Sequence, residues 1–303
     1  MYKIKQAPEE FYVREITNVK AGDKGRYSYF WLKKTNYTTV RAIGHIAQAL
    51  HVPAKKIGFA GNKDKFAVTE QLISIESGRD RVERLEFKDI ELVFFGYGNK
   101  PISLGDLEGN YFEIVVRGFE KMEEKKRIVN YFGPQRFSKN NAEVGKAIVM
   151  KDFKHAVELI LENDGDSEEL MRAHLAEFSN DYVGALRKIP PKISRIYVHA
   201  YQSKLWNEIA VGKVCDDNVK VPIIGFGTEV DDDVEKMLKK EDITTRDFII
   251  KQFPTLSSEG TERDLFIEIK DFKVIEKGDD WAKVAFSLPK GSYATVVIGE
   301  IFK

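Results

Sequence analysis

The chain has 303 residues, with 48 Lys+Arg balanced by 48 Asp+Glu, 43% hydrophobic and 12% aromatic residues, and one cysteine. That length and apolar content support one large or two ordinary packed domains and exclude a disordered or fibrous chain. A lone Cys215 excludes an internal disulfide, the scattered histidines give no zinc spacing, and neither a leader-like apolar segment nor an apolar run of about 18 residues occurs, so a reduced, cytosolic, metal-free protein is expected.

The zero net charge hides an asymmetry. Residues 1–151 carry +8, residues 152–260 carry −7 and residues 261–303 carry −1. A basic unit and an acidic unit follow, and a basic face would draw phosphates by counterion release; two ordinary solvated surfaces would give the same sums.

In chain order, Tyr27, Tyr29 and Trp31 alternate with Ser28, Phe30 and Leu32, which predicts a strand. Val40, Ile43, Ala47 and Leu50 then recur at helical spacing behind the cap candidates Thr38 and Thr39. A short strand at residues 56–59 runs into the loop Ala60-Gly61-Asn62-Lys63-Asp64, and an extended pattern resumes at Leu72. Residues 112–116 read as a strand, and residues 144–161 as helix around a break near Asp152. Acidic helical sequence follows, including Glu162, Asp164, Asp166, Glu168 and Glu169, with a second acidic group at residues 231–235. After about Thr261 strands return, with a turn at Gly278-Asp279 and Ala282, Val284, Phe286 and Leu288 on one face. The ends resemble each other more than the middle, which predicts a discontinuous domain, 1–150 with 261–303, interrupted by a helical insertion at 151–260.

Two segments carry chemistry. Asp64 sits between Lys63 and Lys65 in a glycine-containing loop after a strand, a setting that keeps a carboxylate ionised for attack or proton removal and can hold a phosphate beside it. Taken alone, the loop reads more readily as a charged surface turn than as a functional one. Asn130-Tyr131-Phe132-Gly133-Pro134-Gln135-Arg136-Phe137 joins aromatics, amides and an arginine around a turn, a set able to stack a splayed base and bond its edge. A core corner with an ion-paired arginine is the plainer alternative. The peptides at residues 201–207 and 288–295 read as packing elements with their aromatics in the core.

Five ordered blocks, at residues 5–11, 61–71, 109–112, 130–137 and 288–295, resemble the TruD family of tRNA pseudouridine synthases, and the resemblance runs through most of the chain. It implies an α/β (α+β) catalytic domain with a mixed, mainly antiparallel sheet, and an inserted, mainly helical TRUD domain. It further implies a cofactor-free isomerase acting on tRNA, with uridine 13 of the D arm as the default target. By the same resemblance Asp64 is the catalytic aspartate and Lys5 its basic neighbour. Phe132 and Asn130 receive the uracil, while Phe11, Lys63, Gln135 and Arg136 match further substrate-binding positions. Gly299-Glu300 stands where an Arg-Glu pair is expected. The alternative is a non-catalytic RNA-binding protein on the same fold; a carboxylate-dependent sugar hydrolase would need a second carboxylate, for which Glu70 is the nearest candidate.

Overall fold

The computed structural model describes residues 2–76, 78–213 and 219–303; Cys215 lies outside the described residues. The chain divides into two compact units, 1–128 with 267–303 and 129–266. The first stretch contains β1 (Phe11–Ile16), β2 (Tyr27–Thr35), α1 (Thr39–Leu50), β3 (Ile57–Phe59), β4 (Val68–Ile75), α2 (Arg79–Glu83), β5 (Ile90–Gly98), β6 (Gly109–Arg117) and β7 (Arg127–Val129). There follow α3 (Pro134–Phe137), α4 (Asn141–Val149), α5 (Phe153–Leu161), α6 (Asp166–Glu177), α7 (Tyr182–Leu186), α8 (Pro191–Gly212), β8 (Lys220–Ile223), α9 (Asp232–Glu241), β9 (Thr261–Asp264) and β10 (Phe266–Glu268). The chain ends with β11 (Lys270–Lys277), β12 (Trp281–Pro289) and α10 (Ala294–Ile301).

The first unit is built on one sheet in the order β11-β12-β6-β1-β4-β2-β5, with β3 also on β4. Its pairs are antiparallel except for β1 with β4, where Tyr12 lies opposite Val68 and Arg14 opposite Glu70. The sheet is therefore mixed and mainly antiparallel, the fold class that the sequence implied.

Strand alternation sorts the sheet into two faces. Phe30 and Leu32 of β2, Ile73 and Ile75 of β4, Val13 of β1, Phe112 and Ile114 of β6, and Val284 and Phe286 of β12 are buried. Helix α1 covers the β2 and β4 part of that face through Ala42, Ile43, Ile46 and Leu50. Helix α10 covers the β1, β6 and β12 part through Val297, Ile298 and Ile301. Thr38 caps α1 by accepting a hydrogen bond from Arg41 N at 3.2 Å. Tyr12, Arg14, Lys33, Glu70, Tyr111, Glu113 and Lys283 line a cavity on the opposite face, with Arg14 and Lys33 paired to Glu70 and Lys283 to Glu113. Gly109 is forced by β6–β12 pairing: a Cβ there would stand 2.3 Å from Leu288 O. At the C-terminal end, Glu300 pairs with Lys125 at 2.6 Å.

The second unit is mainly helical. Helix α8 is its centre, burying Tyr201, Leu205 and Trp206 completely, as the packing reading of residues 201–207 expects. The break at Asp152 is a helix start, because Asp152 caps α5 by accepting from His155 N at 3.0 Å. Charge and periodicity drew the insertion at 151–260. By contact, residues 129–150 and 261–266 also belong to this unit: α4 packs on α8, and β9 pairs with β8.

Candidate active site

The parallel pairing of β1 with β4 places what precedes each strand at the same edge of the sheet. Lys5 lies upstream of β1 and Asp64 upstream of β4, so segments 59 residues apart meet, and the Lys5 ammonium pairs with Asp64 Oδ2. Lys3 bridges to Arg117 of β6, Gln6 N donates to Glu10 Oε2 at 3.1 Å, and Glu10 grips Arg117 at 2.6 Å, which fixes the entering segment. Lys5 itself adopts a left-handed backbone, φ 57°, a conformation costing a non-glycine residue roughly 1 kcal/mol. Its ammonium lies 4.0 Å from the centroid of the Phe11 ring. Phe11 is 3% exposed and packs against Phe112. The Phe11 ring is thus the floor under Lys5, beside the Lys5–Asp64 pair.

The Asp64 loop rests on buried polar groups. Thr39 Oγ1 accepts from Lys63 N at 2.9 Å and donates to Gln71 Oε1 at 2.8 Å, while Gln71 Nε2 donates to Gly61 O at 2.9 Å. Both ends of Gly61–Lys63 are thus bonded to fully buried side chains. Lys63 reaches inward to Glu15 Oε2 at 2.8 Å, with the two side chains 6% and 0% exposed, and Glu15 Oε1 accepts from Leu72 N at 3.3 Å. Lys63 is thus one of the loop's supports, its ammonium 2.8 Å from a fully buried carboxylate. Asp64 projects outward, its side chain 53% exposed.

Lys34 sits beneath this loop, fully buried, donating to Tyr37 O and, at 3.0 Å, to Asp64 O. Desolvation pulls its ammonium from 10.5 down to about 8, with the charge of Asp64 opposing that shift and the charge of Lys63 adding to it. The folded value lies below the unfolded one, so between about pH 8 and 10.5 the unfolded chain holds more protons and this group makes the fold more stable as pH rises. Lys34→Met removes the titration. The stability advantage of the parent over the variant is expected to widen across that window in denaturant melts; parallel pH profiles would refute the assignment.

In the second unit, Asn130 and Phe132 are 7% and 8% exposed. Asn207 of α8 brackets Phe132: its Oδ1 accepts from Phe132 N at 2.9 Å and its Nδ2 donates to Phe132 O at 3.1 Å. Phe132 meets Trp206 edge-on at 5.6 Å between centroids. Arg263 lies 4.1 Å from the Phe132 centroid and bonds Asn130 twice. Arg136 lies 5.6 Å from the same ring, and its buried Nε finds no acceptor among the described residues. Gln135 is exposed on the short helix α3.

Reading the sequence missed Glu15, Lys34, Thr39, Asn207 and Arg263. Alternation held a signal for two: Glu15 continues the buried series Phe11, Val13, and Lys34 continues Phe30, Leu32. Asn207 and Arg263 stand 75 and 133 residues from their partners and carried none. Among the described residues no group of three or more His, Cys, Asp or Glu could hold a metal ion, and no helix is long and apolar enough to cross a membrane.

Comparison with known proteins accounts for nearly all of this chain. The family model described as tRNA pseudouridine synthase D (TruD) matches residues 2–170, 162–225 and 215–301. The tRNA pseudouridine synthase D of Aquifex aeolicus is 32% identical over 99% of this chain and 98% of its own length. A crystal structure from Methanosarcina mazei, described as tRNA pseudouridine synthase D, superposes with a TM-score of 0.74 at 28% identity, covering 98% of this chain and 92% of that one. With matches of this length in both sequence and structure, the chain belongs to the tRNA pseudouridine synthase D (TruD) family.

Proposed function

We propose that this chain converts uridine to pseudouridine in tRNA, at uridine 13 of the D arm, with Asp64 as the catalytic carboxylate. The observation that carries this reading is the setting of Asp64: an exposed carboxylate paired with Lys5, at the tip of a loop whose supports are all buried. Such a loop holds its carboxylate in one place, which is what positioning a nucleophile or base against a ribose demands.

The reaction breaks the N1–C1′ bond, turns the uracil in place and joins C5 to C1′; C5 loses its proton and N1 ends protonated, so no redox partner or group donor enters the balance. Asp64 either attacks C1′ or removes the 2′ proton. Lys5 is the cation paired with that carboxylate before reaction. Uridine must first leave its stack, at a cost of a few kcal/mol. Asn130 and Phe132 receive it by hydrogen bonding and stacking, and Arg136 and Gln135, the latter exposed on α3, are further contacts to the nucleotide. In this reading the first unit is the catalytic domain, the second is the inserted TRUD domain, and the enzyme works in the cytoplasm. A sugar hydrolase finds no support, since Glu70 is engaged by Arg14 and Lys33 and Glu15 is buried against Lys63.

Purified protein incubated with tRNA transcripts tritiated at uracil C5 is expected to release tritium without added cofactor, with the product mapping to position 13. Binding without release would favour the RNA-binding alternative, and release mapping elsewhere would move the target.

A further inference from the structure

Arg263, half-buried in β9, has contacts that the sequence around it does not foreshadow. Its Nη2 donates to Asn130 Oδ1 at 2.6 Å and its Nε to Asn130 O at 3.0 Å, so one guanidinium fork holds both the side chain and the backbone of one residue. The same guanidinium carbon lies 4.1 Å from the Phe132 centroid and 5.4 Å from that of Trp206. The strand beneath is anchored: Arg263 pairs with Val221 of β8, whose carbonyl accepts from Trp206 Nε1 at 3.1 Å.

This arrangement fixes which way the Asn130 amide turns. A guanidinium has donors only, so the amide atom facing it is the oxygen, and the nitrogen takes the other side. Nδ2 donates one N–H to Asp264 O at 3.2 Å. Its second N–H meets no acceptor among the described residues and is left for a ligand. We propose that Arg263 is a positioning residue for the base: it holds Asn130 with an N–H presented to a carbonyl oxygen of the uracil, and braces the Phe132 ring beside it. This rests on the reading of Asn130 and Phe132 as the uracil site. A lysine does not reproduce this, because its compact ammonium lacks the rigid planar fork that spans the side chain and the backbone of one residue.

The test is a double-mutant cycle in the full chain, with Arg263→Lys, Asn130→Ala and the pair, read by single-turnover tritium release from tRNA, by tRNA affinity and by Tm. Arg263→Lys is expected to slow turnover roughly 10- to 100-fold, the scale of a hydrogen bond to a charged group. Affinity for tRNA, carried by many phosphate contacts, should change by no more than about threefold. In the Asn130→Ala background the same substitution should change the rate by less than about twofold, because its object is gone. A merely structural arginine would give equal rate losses in both backgrounds, tracking Tm; that result, or a parent-like rate in Arg263→Lys, overturns the proposal alone. A parent chain that releases no tritium from any tRNA removes the uracil-site reading and this inference together.

Discussion

Asp64→Asn is expected to abolish pseudouridine formation, a loss on the order of 10²- to 10⁴-fold or more, while tRNA affinity and Tm stay close to those of the parent. The substitution keeps shape and removes charge. The loop does not depend on the carboxylate, since Gly61 and Lys63 are held through their backbone by Gln71 and Thr39, and Asp64 through its carbonyl by Lys34. What the fold loses is the attraction to Lys5, between side chains 53% and 24% exposed, where such pairs contribute about 0–1 kcal/mol. Single-turnover rates on tritiated tRNA, filter binding and thermal melts separate the three quantities. A fall in affinity as large as the fall in rate would make Asp64 a binding residue, and retained turnover would remove it from the chemistry.

Much of this fold was legible because periodicity reports burial. The strand read at residues 27–32 is part of β2, the helix read from Val40 to Leu50 is α1, and Ala282, Val284, Phe286 and Leu288 are all buried in β12. The stretch from Leu265 to Ile269 is less simple: it holds only the three-residue β10, between the end of β9 and the start of β11, and so short a piece has no period of its own. Composition could not reveal the support of the Asp64 loop either. Lys63 and Lys65 look alike in sequence, yet Lys63 turns inward to a glutamate 48 residues away. Only the pairing of β1 with β4 brings Glu15 to that loop, and nothing local to residues 60–67 encodes it. The same holds for Asn130, whose amide is set by an arginine from a strand 133 residues further on.

Lys63→Met is the second substitution with a large expected effect, and it falls on stability. Two side chains 6% and 0% exposed share this ion pair at 2.8 Å. Removing the lysine strands the Glu15 carboxylate with the Leu72 N–H at 3.3 Å as its remaining hydrogen bond among the described residues. Breaking a buried pair in this way costs about 3–5 kcal/mol, which lowers Tm by roughly 10 °C for a domain of this size. Turnover should fall with it, since Lys63 adjoins Asp64 in the loop. The double variant Lys63→Met with Glu15→Leu is expected to regain most of the lost stability, because replacing both members of a buried pair by apolar groups is often close to neutral. A lysine that served an RNA phosphate would behave in the opposite way. Its loss would leave Tm unchanged, weaken tRNA binding and reduce the slope of log affinity against log salt by about one counterion. Melts of both variants, set beside tRNA binding from low to high salt, decide between an inward and an outward Lys63.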